Sequence, residues 1–193
     1  MKKIILISGK AENGKTTAAN KMKEVFENNG YKVVITRYAK YLKEIAKDYC
    51  GWNGQKDELG RTLLQKLGTD IIRKKMNKPD FHVGRVCEDI EIVYDFVDYV
   101  IIDDVRYPNE IYYPLSKFGR DMIYTYRVDR TDADGNPFNN SLSEEQKKHI
   151  SETSLDDFSF DDRLNLSTLE EAENCAKKIA FSIMEEDIFK QEE

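Results

Sequence analysis

The branched apolar run Ile4-Ile5-Leu6-Ile7 passes through Ser8 into Gly9-Lys10-Ala11-Glu12-Asn13-Gly14-Lys15-Thr16, and from Thr16 apolar residues recur at helical spacing: Ala19, Met22, Val25 and Phe26. A continuous branched run reads as a strand buried on both faces, and so as part of a parallel sheet. Gly-x-x-x-x-Gly-Lys-[Ser/Thr] between such a strand and a helix is a phosphate-binding loop, and the flanking elements supply the context a bare pattern lacks. Glycines let the backbone wrap closely around phosphates, successive N–H groups turn inward, and the helix start adds about half a positive charge. Lys15 is placed to reach the β and γ phosphates of a nucleotide, and the Thr16 hydroxyl to ligate Mg²⁺. Gly9, Ala11, Asn13, Gly14, Lys15, Thr16 and Thr17 are the expected ATP-binding set.

Asn28-Asn29-Gly30 gives the helix a stop, and an apolar run from Tyr31 to Thr36 follows as a second strand. Strand, turn, helix, strand is a βαβ unit, whose crossover is right-handed in nearly all proteins, and the class is α/β. Between residues 38 and 97 the pattern is helical throughout: about Lys40 to Tyr49, about Asp57 to Lys75, and about Phe81 to Phe96 with Val83, Val86, Ile90, Val93 and Val97 as its apolar face. Tyr99 to Ile102 is a third strand ending in Asp103-Asp104, and Met122 to Val128 a fourth. Arg130 to Ser151, with Asp134-Gly135-Asn136-Pro137, reads as a lid-like loop holding one short helix from near Ser143. Arg163 to Leu166 is a fifth, brief strand. Ser167 and Glu170 then suggest a capping box for a closing helix with Leu169, Ala172, Ala176, Ile179 and Ile183 buried.

At 193 residues the chain suits one domain with inserted arms. With 30 Lys and Arg against 36 Asp and Glu the net charge is -6, which argues against binding nucleic-acid polymers through a basic face. An anionic ligand must therefore be held by a local cluster. Cys50, Cys87 and Cys175 are odd in number and widely spaced, so neither a disulfide framework nor a structural zinc site is expected, and a cytoplasmic location fits. The first apolar run stops at Ile7, short of the roughly 7 to 15 residues of a secretory h-region, and none reaches the roughly 18 needed to span a membrane.

Asp103 and Asp104, at the end of a strand, stand as a Walker B pair does, and one of them is expected on the metal side. Arg106 follows at the rim where α/β sheets bind ligands. Arg61, Gln65, Thr69 and Arg73 recur at four-residue intervals, a polar cationic flank drifting over about a third of a helix circumference. Gly68 lies inside that helix, where it costs about 1 kcal/mol against Ala unless something must approach the backbone. With Arg106 and Arg130, two arginines of this flank suggest a phosphate clamp, since guanidinium forks suit bidentate phosphate contacts. His82 and His149 are remote in sequence, so a histidine metal pair is not expected, and no Ser-His-Asp pattern is visible.

Several blocks of the chain then resemble a known family. Lys15-Thr16, Leu42-Lys43, Arg61-x-x-Leu64-Gln65-x-x-Gly68-Thr69-Asp70-x-x-Arg73, Asp104-Val105-Arg106-Tyr107-Pro108-Asn109-Glu110 and His149-x-Ser151-Glu152 are similar, in order, to the motifs of phage-type deoxynucleoside monophosphate kinases. The resemblance runs from residue 4 to about 166. It implies a three-layer P-loop fold with a parallel five-stranded sheet: core 1–37, 98–130 and 160–193, a helical monophosphate-binding insertion at about 38–97, and a lid at about 131–152. It also implies Mg-ATP as donor, often a homodimer, and Lys43, Arg61, Thr69, Asp104, Glu110 and Glu152 beside the acceptor; no membrane partner is expected, since no apolar run is long enough. Phe81-His82 stands where the resemblance implies an aromatic such as tryptophan, and the lid differs in detail; both departures bear on the choice of base.

On this reading Lys15, Mg²⁺ and Arg130 would neutralise the transferring phosphoryl, Arg73 and Arg106 would fix the acceptor phosphate, and Tyr38, Gln65 and Tyr107 would stack on or read the base. Two alternatives remain open on sequence: a kinase of another small acceptor, such as phosphomevalonate or a sugar acid, and a nucleotide-binding regulatory ATPase.

Overall fold

The computed structural model describes residues 1–132 and 134–189; the side chains of Leu169 and Phe189 also lie outside the described part, and with them the expected burial of Leu169. Five strands, β1 (Lys3–Ser8), β2 (Val33–Thr36), β3 (Tyr99–Val105), β4 (Ile123–Arg130) and β5 (Asp162–Leu166), form one sheet in the order β2-β3-β1-β4-β5. Every pairing is parallel. β1 is central because all six of its residues are buried. Its side chains alternate between two cores: Ile5 and Ile7 pack with Met22 and Phe26 of α1 (Lys15–Asn28) and Ala176 and Ile183 of α8 (Leu169–Phe189). Ile4 and Leu6 pack on the other face with Val83, Val86 and Ile90 of α4 (Phe81–Ile92) and Ile111 of α5 (Asn109–Phe118). Helices on both faces of a parallel sheet make a three-layer α/β fold. At its edge β5 buries only Leu164 and Leu166.

The chain leaves β1 toward β2 on one side and returns from β3 to β4 on the other. That reversal opens a crevice at the carboxyl ends of β1 and β3, where open α/β sheets bind ligands. β3 runs to Val105, so both aspartates lie within the strand and not beyond it. The register shifts here: Leu6 pairs with Ile102 and Ser8 with Val105, leaving Ile7 opposite both Asp103 and Asp104. Such a bulge re-aims side chains at a strand end.

Between β2 and β3 the described structure is helical: α2 (Lys40–Cys50), α3 (Glu58–Gln65), a π-helix (Lys66–Lys75) and α4. The expected single helix from Asp57 to Lys75 is thus two. Asp57 caps α3 by accepting from Gly60 N–H at 2.8 Å, and the turns widen after Gln65, with Met76 N–H reaching Ile71 O at 2.8 Å. A wider turn reduces the drift of residues four apart, which keeps Thr69 and Arg73 on one face. Gly68 has its reason as well: a Cβ there would lie 3.1 Å from Leu42 Cδ2. α4 ends at Ile92, four residues short of the expected Phe96.

α5 is absent from the sequence reading because Pro114 sits inside it. Proline cannot donate to the carbonyl four residues back, that of Glu110. The Tyr38 hydroxyl donates to that carbonyl instead, at 2.6 Å, so a core residue repairs the helix. In the lid, α6 (Glu144–Lys147) begins at a Ser143/Gln146 capping box, and a second short helix, α7 (Ile150–Thr153), follows. The cap of α8 lies one residue later than expected: Thr168 Oγ1 accepts from Glu171 N–H and the Glu171 carboxylate accepts from the N–H groups of Ser167 and Thr168. No described helix is long and apolar enough to cross a membrane.

Candidate active site

The loop after β1 is held by its own sequence. Gly9 has φ +144°, and a Cβ there would lie 2.3 Å from the Val128 carbonyl oxygen, so only glycine lets the loop approach β4 this closely. Asn13 Nδ2 donates to the same carbonyl at 3.2 Å, which makes its side chain a tether of the loop to the sheet. Lys15 is buried, its Nζ donating to Gly9 O at 2.8 Å and Lys10 O at 2.6 Å; burial, then the nearby Arg106, pushes its pKa well below the usual lysine value. Anionic phosphates would reverse that penalty.

A cavity of about 580 Å³ opens from this loop across the ends of β1 and β3 to the helical arm. Its walls bring together Ala11, Gly14, Lys15, Thr16 and Thr17 of the loop with Asp103 and Asp104. From the expected acceptor set they bring Tyr38, Lys43, Arg61, Gln65, Thr69 and Arg73, and likewise Arg106, Tyr107, Glu110 and Glu152. Arg130 does not join them. It is the last residue of β4, pairs in register with Leu166, and lays its guanidinium 3.8 Å from the centre of the Phe138 ring, reaching only the Glu12 carbonyl. The expected role of Arg130 at the transferring phosphoryl thus finds no support in its contacts.

The two aspartates divide. Asp103 accepts from Thr16 Oγ1 at 2.7 Å and from both forks of Arg37, at 2.6 and 2.7 Å. Burial works to raise its pKa, but these bonds together hold it below the usual carboxylate value. Asp104 instead accepts from the N–H groups of Tyr38 (2.8 Å) and Ala39 (3.1 Å), and burial raises its pKa. Thr16 Oγ1 and the Asp103 carboxylate are the paired hard oxygens that could face a metal, whereas Asp104 anchors the start of the arm. That small hard-oxygen set fits Mg²⁺, which takes one or two protein ligands and completes its shell with phosphate oxygens and water. Among the described residues no cluster of three or more His, Cys, Asp or Glu could hold a metal alone.

Glu110 organises the end of the cavity away from the phosphate loop. Its buried carboxylate accepts from Arg73 at 2.6 Å and from the N–H groups of Arg106 (2.6 Å) and Tyr107 (3.1 Å). Arg73 also spans to Pro79 O at 2.7 Å and lies 3.9 Å over the Tyr107 ring, whose hydroxyl bonds Thr69 at 2.8 Å. Tyr107 is thereby engaged by Arg73, and Tyr38, 2% exposed with its hydroxyl spent on α5, cannot stack on a base. Burial lifts Glu110 to about 7 against the pull of Arg73. Since the folded value lies above the ordinary 4.5, the native state holds an extra proton between these values. The stability Glu110 contributes is full below 4.5 and lost as pH rises through 7. Glu110→Gln should flatten urea-unfolding stability between about pH 5 and 7.5 by about 1–3 kcal/mol relative to wild type, and equal slopes would mean that Arg73 keeps the carboxylate ionised throughout.

Two residues escape the sequence reading: Arg37, and Glu12, which enters it only as part of the phosphate loop; His82 enters it without a role. Glu12, at φ +64°, accepts from the Ser141 hydroxyl, from Ser141 N–H at 3.0 Å and from Arg61 at 2.8 Å, and so ties lid, arm and loop together. The Ser141 hydroxyl, then Arg61, hold it down at about 2. Glu152, from α7, accepts from Ala11 N–H at 2.9 Å and from Arg106 at 2.7 Å, taking one of the inward donors of the phosphate loop. His149 caps α7 through its ring nitrogen, which accepts from Ser151 N–H at 3.2 Å. His82 is buried in the arm wall of the cavity.

No family model and no curated protein matches the sequence. Among solved structures the chain is similar in overall course to an APS kinase, a CysC variant from Mycobacterium tuberculosis, at 11% identity and TM-score 0.47, covering 95% of this chain and 97% of that one. It is similar to an unliganded sugar kinase from Janibacter sp. HTCC2649 at 14% identity and TM-score 0.47, covering 96% and 95%. A protein named APE1195 aligns at 12% identity and TM-score 0.49, covering 94% and 96%.

Proposed function

We propose that the chain is an ATP-dependent kinase that moves the γ-phosphoryl of Mg-ATP to the phosphate of a (deoxy)nucleoside 5′-monophosphate, giving the diphosphate and ADP. The observation that carries this reading is that every carboxylate of the cavity wall is already engaged. Asp103 is taken by Arg37 and Thr16, Asp104 by two backbone N–H groups, Glu110 by Arg73, Glu152 by Arg106, and Glu12 by Arg61 and Ser141. A hydroxyl acceptor needs a base to take its proton. A phosphate monoester, with a second pKa near 6, is largely ionised at pH 7 and needs none.

Catalysis then rests on positioning and charge. The acceptor oxygen attacks the γ-phosphorus in line, and the bond to the bridging β–γ oxygen breaks toward ADP. Lys15 and the loop N–H groups balance the charge of the donor phosphates. Arg73, locked by Glu110, Pro79 and Tyr107, and Arg106, next to it through the same carboxylate, would orient the acceptor phosphate. Thr16 and Asp103 would hold Mg²⁺, which when bound neutralises charge on the β and γ phosphates. Arriving phosphates would take Ala11 N–H from Glu152, which stays paired with Arg106, while Glu12 and Ser141 keep the lid over the loop and exclude water. The insertion (about 38–97) serves as the acceptor arm and residues 131–152 as the lid.

The test is ADP release with Mg-ATP against the common deoxy and ribo monophosphates, with a no-acceptor control. Strong stimulation by one or a few of them supports the reading and names base and sugar preference. A rate equal to the control throughout removes it in favour of another acceptor or an acceptor-independent ATPase.

A further inference from the structure

α4 opens with Phe81-His82, and His82 is the buried side chain whose polar atoms stand out among the described residues: neither Nδ1 nor Nε2 has a hydrogen-bond partner. Buried ring nitrogens are nearly always paired, because each unpaired one forfeits its hydration without return. The ring is 4% exposed, and what it faces is the arm end of the cavity. Gly68 lies against the same wall: a Cβ there would be in ordinary contact with His82 Nε2, at 4.0 Å, and tight against Leu42 Cδ2, at 3.1 Å. Phe81 fixes one side of the imidazole with an edge contact at 5.3 Å between ring centres. Burial, then the positive charge of Arg73, lowers the pKa to about 4, so the ring is neutral at pH 7 and carries one donor and one acceptor.

An orphan donor–acceptor pair beside Leu42, Leu64 and Gly68 suits a flat heterocycle with polar atoms along its edge, and Arg73 lies at the phosphate end of the same wall. We propose that His82 is a specificity-determining residue that hydrogen-bonds the edge of the acceptor base. The inference rests on the nucleoside monophosphate reading above and adds to it the residue that selects among bases. The residues expected to stack on or read the base are Tyr38, Gln65 and Tyr107; His82 lines the same cavity and, among the described residues, is the one whose buried polar atoms lack a partner.

The experiment uses the full chain as wild type, His82→Phe and His82→Gln, with kcat and KM for each monophosphate and thermal midpoints without ligand. His82→Phe removes both orphan nitrogens while filling the space, so its midpoint should equal or exceed that of wild type. The KM of the preferred monophosphate should rise about ten- to a hundredfold, with kcat within about threefold, and the spread among bases should shrink to match. His82→Gln, which keeps a donor and an acceptor, should recover part of the preference, and it carries the test if the phenylalanine variant does not fold. If wild type prefers one base and His82→Phe keeps the same ranking, or changes only the ribose-to-deoxyribose ratio, this inference falls and the proposed function stands. If no monophosphate stimulates the wild type, the proposed function falls and this inference goes with it.

Discussion

Lys15→Ala is expected to reduce phosphoryl transfer by about 10³-fold or more while leaving the fold near its wild-type stability. Lys15 is buried at the first turn of α1, and its ammonium is spent on two carbonyls of its own loop, Gly9 O and Lys10 O. Burial already penalises that charge, so its removal sacrifices two short hydrogen bonds and relieves a desolvation cost of the same order. Far-ultraviolet circular dichroism and the thermal midpoint should therefore change little. In the loaded site the same ammonium is proposed to face developing negative charge where water is excluded, and there a charge-assisted bond counts for far more than in water. The measurement is single-turnover ADP formation with the monophosphate the panel selects. A variant with full turnover and an intact fold would falsify the phosphate-loop assignment outright.

The parts of the fold that could be read from sequence are those whose cause is local. β1, the glycine loop and α1 lie within one continuous stretch of chain, and hydrophobic period, turn chemistry and motif agree there. The parts that could not be read depend on partners far along the chain. Helix α5 carries Pro114 with the carbonyl that proline leaves free taken by the Tyr38 hydroxyl, 72 residues away. The bulge that sends Asp103 to Thr16 and Asp104 to the arm follows from how β3 registers against β1. The switch from α- to π-helix after Gln65 coincides with the Leu42 side chain lying against Gly68, a contact that four-residue spacing does not report.

The candidate site divides in the same way. Arg61, Arg73 and Arg106 do reach one cavity, because each sits on an element whose face was fixed by its own periodicity or by a strand end. Arg130 leaves it because pairing with β5 extends β4 as far as that residue and turns its side chain onto Phe138. Arg37 was missed for the opposite reason. It follows an edge strand with no motif around it, and only the fold brings it to Asp103. His82 carried a faint signal, a polar residue beside the apolar face Val83, Val86 and Ile90, but whether such a histidine is paired can be seen only once its neighbours are in place.

Arg73→Ala should lower kcat/KM for the acceptor by about 10²–10³-fold, roughly 3–4 kcal/mol, while the KM for ATP stays within about threefold. The asymmetry follows from where Arg73 is anchored. Its contacts are Glu110, Pro79, Asn109 and Tyr107, all away from the phosphate loop and on the side of the cavity proposed for the acceptor. Glu110 answers for the structural part of the loss. Without its guanidinium partner that carboxylate, already lifted to about 7, takes up a proton instead of remaining as a buried bare charge, which limits the fall in stability. Arg73→Lys separates charge from geometry: a lysine keeps the positive charge but lacks the planar fork that can hold Glu110 and a phosphate together, so it should recover stability more fully than acceptor turnover. Should the ATP KM rise by the same factor as the acceptor KM, Arg73 would belong to the donor side, and the division of the cavity drawn from Glu110 would have to be reversed.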